Sequence, residues 1–492
     1  MERSVAQGRV PEARPDRPTT GRTGTWRSIR IAGALVVVAL VAYLAWNPLR
    51  YYNHFVWQAE AFLDGRAEID YPVAPTDDSA GNAFFQDVLP VERARGDEPG
   101  RGLIPFPPLP ALLLVPFVAV FGLATDQQTI GGVLGALNVG LAWWALGGLR
   151  ISESVRVATT LFFGFGTVYW YTAQLGTTWW FAHVVALVPL LLAIGLALRA
   201  DPRSAYDEDE IADDGAAQEH AQEGVRSYLR RPWRLIDRRQ LAIGFLFGLA
   251  ATARLTVLFG APFFVLVGSG GSWPRRAVSA GLGAIVPVGA LLAYNVISTG
   301  HLFHPAYEYL YQAEAFGYPS LGYNRDWAIE DPRYIPQNLL IMLFSLPVVF
   351  PDQIPSALGD YGRLCVDPGA IRGIFDEACP VALPRDIGTS ILLTGPAYLL
   401  ALPALRLHGR ARLVTGSVIA VLLIGLVNLM HFSQGWVQFG YRFSNDFVVW
   451  ALLLVATGIA RRGDVGRVRW ALVALSIVVN LWGVAWGNLL GW

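Results

Sequence analysis

Four stretches of this sequence carry residues whose types and spacing suit chemistry. The first is Tyr51-Tyr52-Asn53-His54-Phe55-Val56-Trp57-Gln58-Ala59-Glu60-Ala61-Phe62-Leu63-Asp64-Gly65. Phe55, Ala59, Phe62 and Leu63 recur at helical spacing and Gly65 is a fitting stop, so a short surface helix is expected. Asn53, His54, Glu60 and Asp64 then lie on its wetter faces. Further along, Asp87 stands between Phe84-Phe85-Gln86 and Val88-Leu89-Pro90. A carboxylate flanked by apolar and aromatic residues is partly desolvated, which suits it to accept a proton; the alternative is an ordinary turn residue. The third stretch is Ala251-Thr252-Ala253-Arg254-Leu255-Thr256. A cation inside an apolar run is costly and usually faces a cavity or a partner. Arg254 therefore suits a phosphate, which a guanidinium matches in a bidentate way, or a structural ion pair. The fourth, Gly435-Trp436-Val437-Gln438-Phe439-Gly440-Tyr441-Arg442-Phe443-Ser444-Asn445-Asp446, offers aromatics to stack on a sugar and Arg442 to hold a phosphate. It reads equally as an aromatic belt with a snorkelling Arg. His183 lies near one end of an apolar run, as a packing residue or a ligand.

Other signals are weaker. Asp207-Glu208-Asp209 matches a short acidic metal–nucleotide motif but sits in a polar, charged linker, where a solvated run is the better reading. His301 and His304 lack an evident third ligand. A divalent metal remains compatible with the chemistry, but no residue set identifies a cofactor. Cys365 and Cys379, the two cysteines of the chain, read as a disulfide in an oxidising compartment or as two buried thiols.

These residues must be positioned by membrane helices. Hydrophobic residues make up 53% of the chain and charged residues 15%, against roughly 25% charged in a soluble domain. Arg is scattered and clusters at the ends of apolar runs, so there is no case for nucleic acid. Long apolar runs are Ile31–Trp46, Ile130–Leu149, Val157–Tyr171, Thr178–Leu198, Ala277–Ile297, Ile387–Leu407, Leu413–His431, Asp446–Ala460 and Trp470–Leu490. Leu241–Val267 reads as two short helices meeting at Arg254. Together they predict an all-α polytopic membrane protein of about eleven spans.

Orientation follows from Arg placement. The clusters fall before Ile31, at Arg150/Arg156, in Arg199–Arg239, at Arg275/Arg276, at Arg406–Arg412 and at Arg461–Arg469. All six share one side if Leu103–Phe121, with its Pro-rich entry, is interfacial. The organisation expected is then a disordered cytoplasmic tail (1–28) and one transmembrane domain (29–492) in the cytoplasmic membrane. Ile31–Trp46 reads as a signal anchor, because no small-residue cleavage site follows it. The domain carries a first outer loop (47–102), an interfacial helix (103–122), a cytoplasmic linker (199–239) and a second large outer loop (299–385).

On these features the chain resembles the GT-C superfamily of membrane glycosyltransferases, which includes the protein O-mannosyltransferases and aminoarabinose transferases. The resemblance rests on four features. These are the anchor followed by an outer loop opening with Asn53–Gly65; Pro105-Phe106-Pro107-Pro108-Leu109-Pro110; the Gly-rich half-helix Gly244–Arg254; and Gln438-Phe439-Gly440-Tyr441-Arg442. It implies a GT-C-like bundle and a sugar donor on a polyprenyl phosphate. Transfer would go to a glycan, lipid or protein acceptor at the outer face, with direct displacement at the anomeric carbon. A carboxylate would take the acceptor's proton and Arg side chains would stabilise the departing phosphate. Many members carry an acidic residue where this chain has Asn53-His54, so the base is expected at Asp87, with Glu60 and Asp64 behind it. Asn53, His54, His183, Arg254, Tyr441 and Arg442 are the expected substrate-binding residues. A transporter or flippase of a lipid-linked sugar is the alternative, and a scaffold without chemistry is the third reading; the single broken helix pair and the large first outer loop favour the enzyme.

Overall fold

The computed structural model describes residues 22–46, 52–71, 87–92, 100–201 and 236–492. The tail reading falls largely on residues 1–21 and the acidic linker motif on 202–235, both outside the described residues. The first helix begins earlier than the apolar run, taking in the polar residues from Arg22.

The architecture is nearly all helical. The helices α1 (Arg22–Leu44), α2 (His54–Leu63), α3 (Leu109–Phe121), α4 (Gln127–Leu146), α5 (Glu153–Phe165), α6 (Tyr169–Leu175) and α7 (Thr178–Ala200) form the first half. Six helices are long and apolar enough to cross a membrane: Trp26–Leu44 within α1, α4, α7, Trp273–Thr299, Arg412–Met430 and Arg467–Leu489. At the centre stand α7 and the helix Val448–Ala460, the latter buried on every side from Val448 to Ile459. A helix apolar all round needs a partner on every face, and α4, α5 and α7 pack into one core with it.

Three expected spans differ from their apolar runs. Val157–Tyr171 divides into α5 and α6 at Gly166, where a Cβ would meet Cβ of Ser476 at 2.9 Å. Close approach of the last long helix thus sets the break. Ile387–Leu407 becomes Ile391–Thr394, a 3-10 stretch Pro396–Ala401 and Leu402–Leu405, because Pro396 and Pro403 each remove a backbone donor. Asp446–Ala460 becomes the 3-10 turn Arg442–Asp446 followed by 13 residues of helix.

The expected break at Arg254 is present. The helix Arg238–Ala251 ends, Arg254 is extended (φ −141°, ψ 103°), and a 3-10 stretch Leu255–Gly260 leads into Ala261–Leu266. Helix α3 has 13 residues, roughly 20 Å at 1.5 Å per residue, short of a hydrocarbon core of about 30 Å. It packs on α2 and leaves Leu112, Val120 and Phe121 exposed.

The bundle has two chemically distinct ends. At one, Arg27 pairs with Glu153 (2.7 Å), Arg156 donates to Ser28, Arg412 pairs with Asp201 (3.2 Å), Arg276 donates to the Val265 carbonyl and Arg469 to the Arg462 carbonyl. Members of the Arg clusters thus gather there. The other end holds α2, a small antiparallel sheet of β1 (Ile69–Tyr71), β2 (Leu89–Glu92) and β3 (Gly100–Leu103) in the order β1-β3-β2, and the segments after Thr299. Cys365 and Cys379 form a disulfide at this end, and the Trp486 indole donates to the Ile374 carbonyl nearby (3.2 Å).

Candidate functional site

Asp87 and Arg442 lie at the loop end, near enough for the carboxylate to act on the guanidinium. Asp87 opens the short run into β2, and the next residue, Val88, is buried with Ala61, Ile69 and Ile104, which ties the turn to α2 and the sheet. Asp87 adopts φ +65°, a region few residues with a Cβ occupy. Its Oδ2 accepts the indole N–H of Trp179 (2.5 Å). Trp179 is set by the N-terminus of α7. Thr178 Oγ1 donates to the Tyr52 carbonyl (2.9 Å) and lies 3.0 Å from His54 Nδ1, and the Tyr52 ring sits 5.0 Å from Trp179. His54 and Tyr52 therefore form the wall behind the Asp87 carboxylate.

Opposite lies Glu314, on the helix Ala306–Gly317. Tyr311, three residues earlier, donates to the Trp327 carbonyl (2.6 Å) and packs on Phe432 at 5.0 Å. That anchor directs the helix face carrying Glu314. The Glu314 carboxyl lies near enough to Asp87 for the two to act on one another. Burial, with Asp87 beside it, pushes Glu314 well above the usual carboxylate range, against the pull of Arg442.

Arg442 is 9% exposed. Its backbone N–H donates to Gln438 Oε1 (3.1 Å), and its guanidinium carbon lies 5.7 Å from the Trp180 ring and 5.2 Å from that of Phe443. Gly435 leaves the room for it, since a Cβ there would approach Arg442 Nε to 2.9 Å. Among the described residues the guanidinium forms no ion pair or hydrogen bond. Burial first, and Arg254 second, lower it to about 10, while Tyr323, Asp87 and Glu314 oppose the shift. It stays charged at neutral pH, a buried cation with the Asp87 and Glu314 carboxyls in its neighbourhood.

Arg254 is different. Its Nε and Nη2 grip both oxygens of Asp446 (3.0 and 2.9 Å), and Thr256 and Asn428 donate to the same carboxylate. His183 Nδ1 lies 2.9 Å from Asp446 Oδ1 but is not aligned as a hydrogen bond, and its Nε2 is buried without a hydrogen-bond partner among the described residues. Arg254, His183 and Asp446 thus form a neutralised cluster next to the site, in contact with it through Phe443, whose ring lies 5.7 Å from the Arg254 guanidinium.

The remaining expected residues lie elsewhere. Asp64 and Asp70 bind Arg66 (2.8 and 2.9 Å), and the Glu60 carboxyl, raised first by burial and then by Asp64 and Asp70, belongs to that group. Asn53 precedes α2 and caps it without a side-chain hydrogen bond. Tyr441 is buried against Ile341 and Phe443, its hydroxyl on the Asn428 carbonyl (3.4 Å). His301 is exposed and His304 buried, and among the described residues no group of three or more His, Cys, Asp or Glu is placed to hold a metal.

Glu314 and Asp446 were not singled out in the sequence. The argument used for Asp87 applies to Glu314, a carboxyl between Ala313 and Ala315 in an aromatic segment. A partner for Arg254 could have been sought among the acidic residues at the margins of apolar runs, where Asp446 lies. Comparisons with protein-family models, with curated proteins and with solved structures find no match for this chain.

Proposed function

We propose that this chain is a membrane glycosyltransferase of the GT-C type, moving a sugar from a polyprenyl-phosphate donor to a glycan, lipid or protein acceptor at the outer face of the cytoplasmic membrane. The observation that carries the reading is the Arg442 guanidinium, buried, unpaired among the described residues, and near enough to Asp87 to feel its charge. A buried cation with no direct ion pair among the described residues suits an anionic ligand, and Trp180 and Phe443 beside it suit a sugar or an isoprenoid unit.

In this reading the six long helices and five short or broken ones (α5 with α6, Arg238–Ala251, Leu255–Leu266, Ile391–Leu405 and Val448–Ala460) make eleven crossings. The N-terminus is cytoplasmic, because the Arg-rich end of the bundle faces the cytoplasm. Helix α3 lies in the outer interface beside the site.

The chemistry is a displacement. Asp87 takes the proton of the acceptor hydroxyl as its oxygen bonds to the anomeric carbon. The bond from that carbon to the phosphate oxygen breaks, the phosphate keeps the electron pair, and Arg442 stabilises the charge that develops on it. Arg254 holds the neighbouring loop through Asp446 and keeps Arg442 from drifting to that carboxylate.

Binding of a radiolabelled polyprenyl-phosphate sugar to purified protein in lipid tests the assignment. Loss of a hydrogen bond to a charged group is worth about 1.5–3 kcal/mol, roughly 10- to 100-fold in affinity. Arg442→Ala is expected to weaken binding by that factor with the fold intact; unchanged affinity contradicts the assignment.

A further inference from the structure

We infer that Asp386 is a positioning residue for Arg442: its buried carboxylate and its carbonyl bracket the loop 433–442 and so fix where the guanidinium stands. The consequence for donor binding rests on the reading of Arg442 as the phosphate-binding cation, whereas the bracket itself does not.

The loop does not hold one shape by its own backbone. From 433 to 441 it belongs to no helix or strand, and Gly435 and Gly440 stand at φ +85° and +71°. Two glycines widen the choice of backbone shapes, so contacts from outside the loop must select one. Loop shape and guanidinium position are linked, because a Cβ at Gly435 would approach Arg442 Nε to 2.9 Å.

The selecting contacts come from the segment 386–389. The Gln438 N–H donates to the Asp386 carbonyl (2.8 Å), Gln438 Nε2 to the Ile387 carbonyl (3.2 Å), and the Thr389 N–H to the Gly440 carbonyl (3.3 Å). A Cβ at Gly388 would stand 2.6 Å from the Gly440 carbonyl oxygen, so the two segments lie in close contact. The Gln438 amide passes the constraint on. Its Nε2 also donates to the Gln434 carbonyl (2.8 Å), and its Oε1 accepts the Arg442 N–H (3.1 Å).

The Asp386 carboxylate anchors this arrangement. It is buried, and its Oδ2 accepts the Ser356 hydroxyl (2.7 Å) and the Trp436 indole N–H (2.8 Å) while Oδ1 accepts the Ala357 N–H (3.0 Å). Hydrogen bonds to an ionised acceptor are stronger than neutral ones. One residue thus ties the turn at 356–357 to Trp436 through its side chain and to Gln438 through its backbone.

The test measures binding of the radiolabelled polyprenyl-phosphate sugar to the full chain in lipid, with hydrogen exchange of the 433–442 amides read alongside. Asp386→Ala is expected to weaken binding about tenfold, the lower end for loss of hydrogen bonds to a charged group, and to speed exchange across the loop. In an Arg442→Ala background the same substitution is expected to cost no further affinity, because residues acting through one group do not add. Asp386→Asn keeps an oxygen for Ser356 and Trp436 and is expected to bind within about threefold of wild type. Trp436→Phe removes the indole N–H and keeps a ring against Tyr318, which lies 5.7 Å from Trp436. It is expected to shift both readouts in the same direction as Asp386→Ala, and it carries the test if Asp386→Ala does not fold. Equal losses in the wild-type and Arg442→Ala backgrounds, or unchanged exchange in a folded Asp386→Ala or in Trp436→Phe, overturn the inference. If wild type binds no donor, the proposed function fails and the exchange of 433–442 alone decides the bracket.

Discussion

At the residue scale, two guanidiniums near one ring, that of Phe443, at 5.7 and 5.2 Å, have opposite environments. Arg254 is answered by Asp446 on both oxygens; Arg442 is answered by nothing within bonding reach among the described residues. Removing one partner of a buried pair leaves the other uncompensated, at about 3–5 kcal/mol. Arg254→Ala is therefore expected to lower the thermal unfolding midpoint of the solubilised protein sharply, and Arg254→Met with Asp446→Leu to recover much of it. An unaltered midpoint in Arg254→Ala removes the structural role assigned to it. Glu314 supplies a pH signature. Its proton is held more tightly in the folded chain than in the unfolded one, so its contribution is full below the ordinary glutamate pKa of about 4.3. That contribution is lost as pH rises through the folded value. Melting curves of wild type are expected to show this decline and those of Glu314→Gln to lack it. Asp87, Arg254 and Arg442 were legible in the sequence because an ionisable residue among apolar neighbours stands out. Their partners were not: Arg254 and Asp446 lie 192 positions apart, and one sequence carries no record of which distant charge answers which.

At the element scale, helix length decided what was legible. The six long helices follow from their apolar runs, since each must satisfy its own backbone in lipid. The break at Arg254 was visible because a charge marks it. The breaks at Gly166 and Pro396 were not, because counting apolar residues passes over single residues that stop a helix. The sheet beside Asp87 has strands of three and four residues, too short for an alternating pattern to emerge. Packing of Arg238–Ala251, the helix before Arg254, on Trp273–Thr299 depends on small residues. A Cβ at Gly244 would stand 2.1 Å from the Ala280 carbonyl oxygen, and one at Gly283 2.1 Å from that of Leu241. Backbone cannot yield as a side chain can. Gly244→Leu and Gly283→Leu are each expected to reduce the monodisperse fraction in gel filtration; a wild-type profile for both shows that the helices do not pack this closely.

At the scale of the whole molecule, the proposed orientation in a membrane rests on the Arg-rich end and the loop end of the bundle. The last long helix, Arg467–Leu489, starts at the Arg-rich end and finishes beside Ile374 at the loop end. A periplasm-active reporter fused after Trp492 is expected to be active, and one fused at the N-terminus inactive; the reverse pattern inverts the orientation and moves the site to the cytoplasmic face. The disulfide agrees with the same placement, because oxidised pairs persist outside the cytoplasm. Intact protein is expected to resist thiol labelling at Cys365 and Cys379 until it is reduced.

The most direct test of the central claim is transfer of sugar from radiolabelled polyprenyl-phosphate donors by purified protein in lipid, with wild type and Asp87→Asn side by side. Labelled acceptor from wild type and none from a folded Asp87→Asn is the predicted result. No product with any donor, alongside movement of the donor between leaflets, contradicts the enzyme and identifies a flippase.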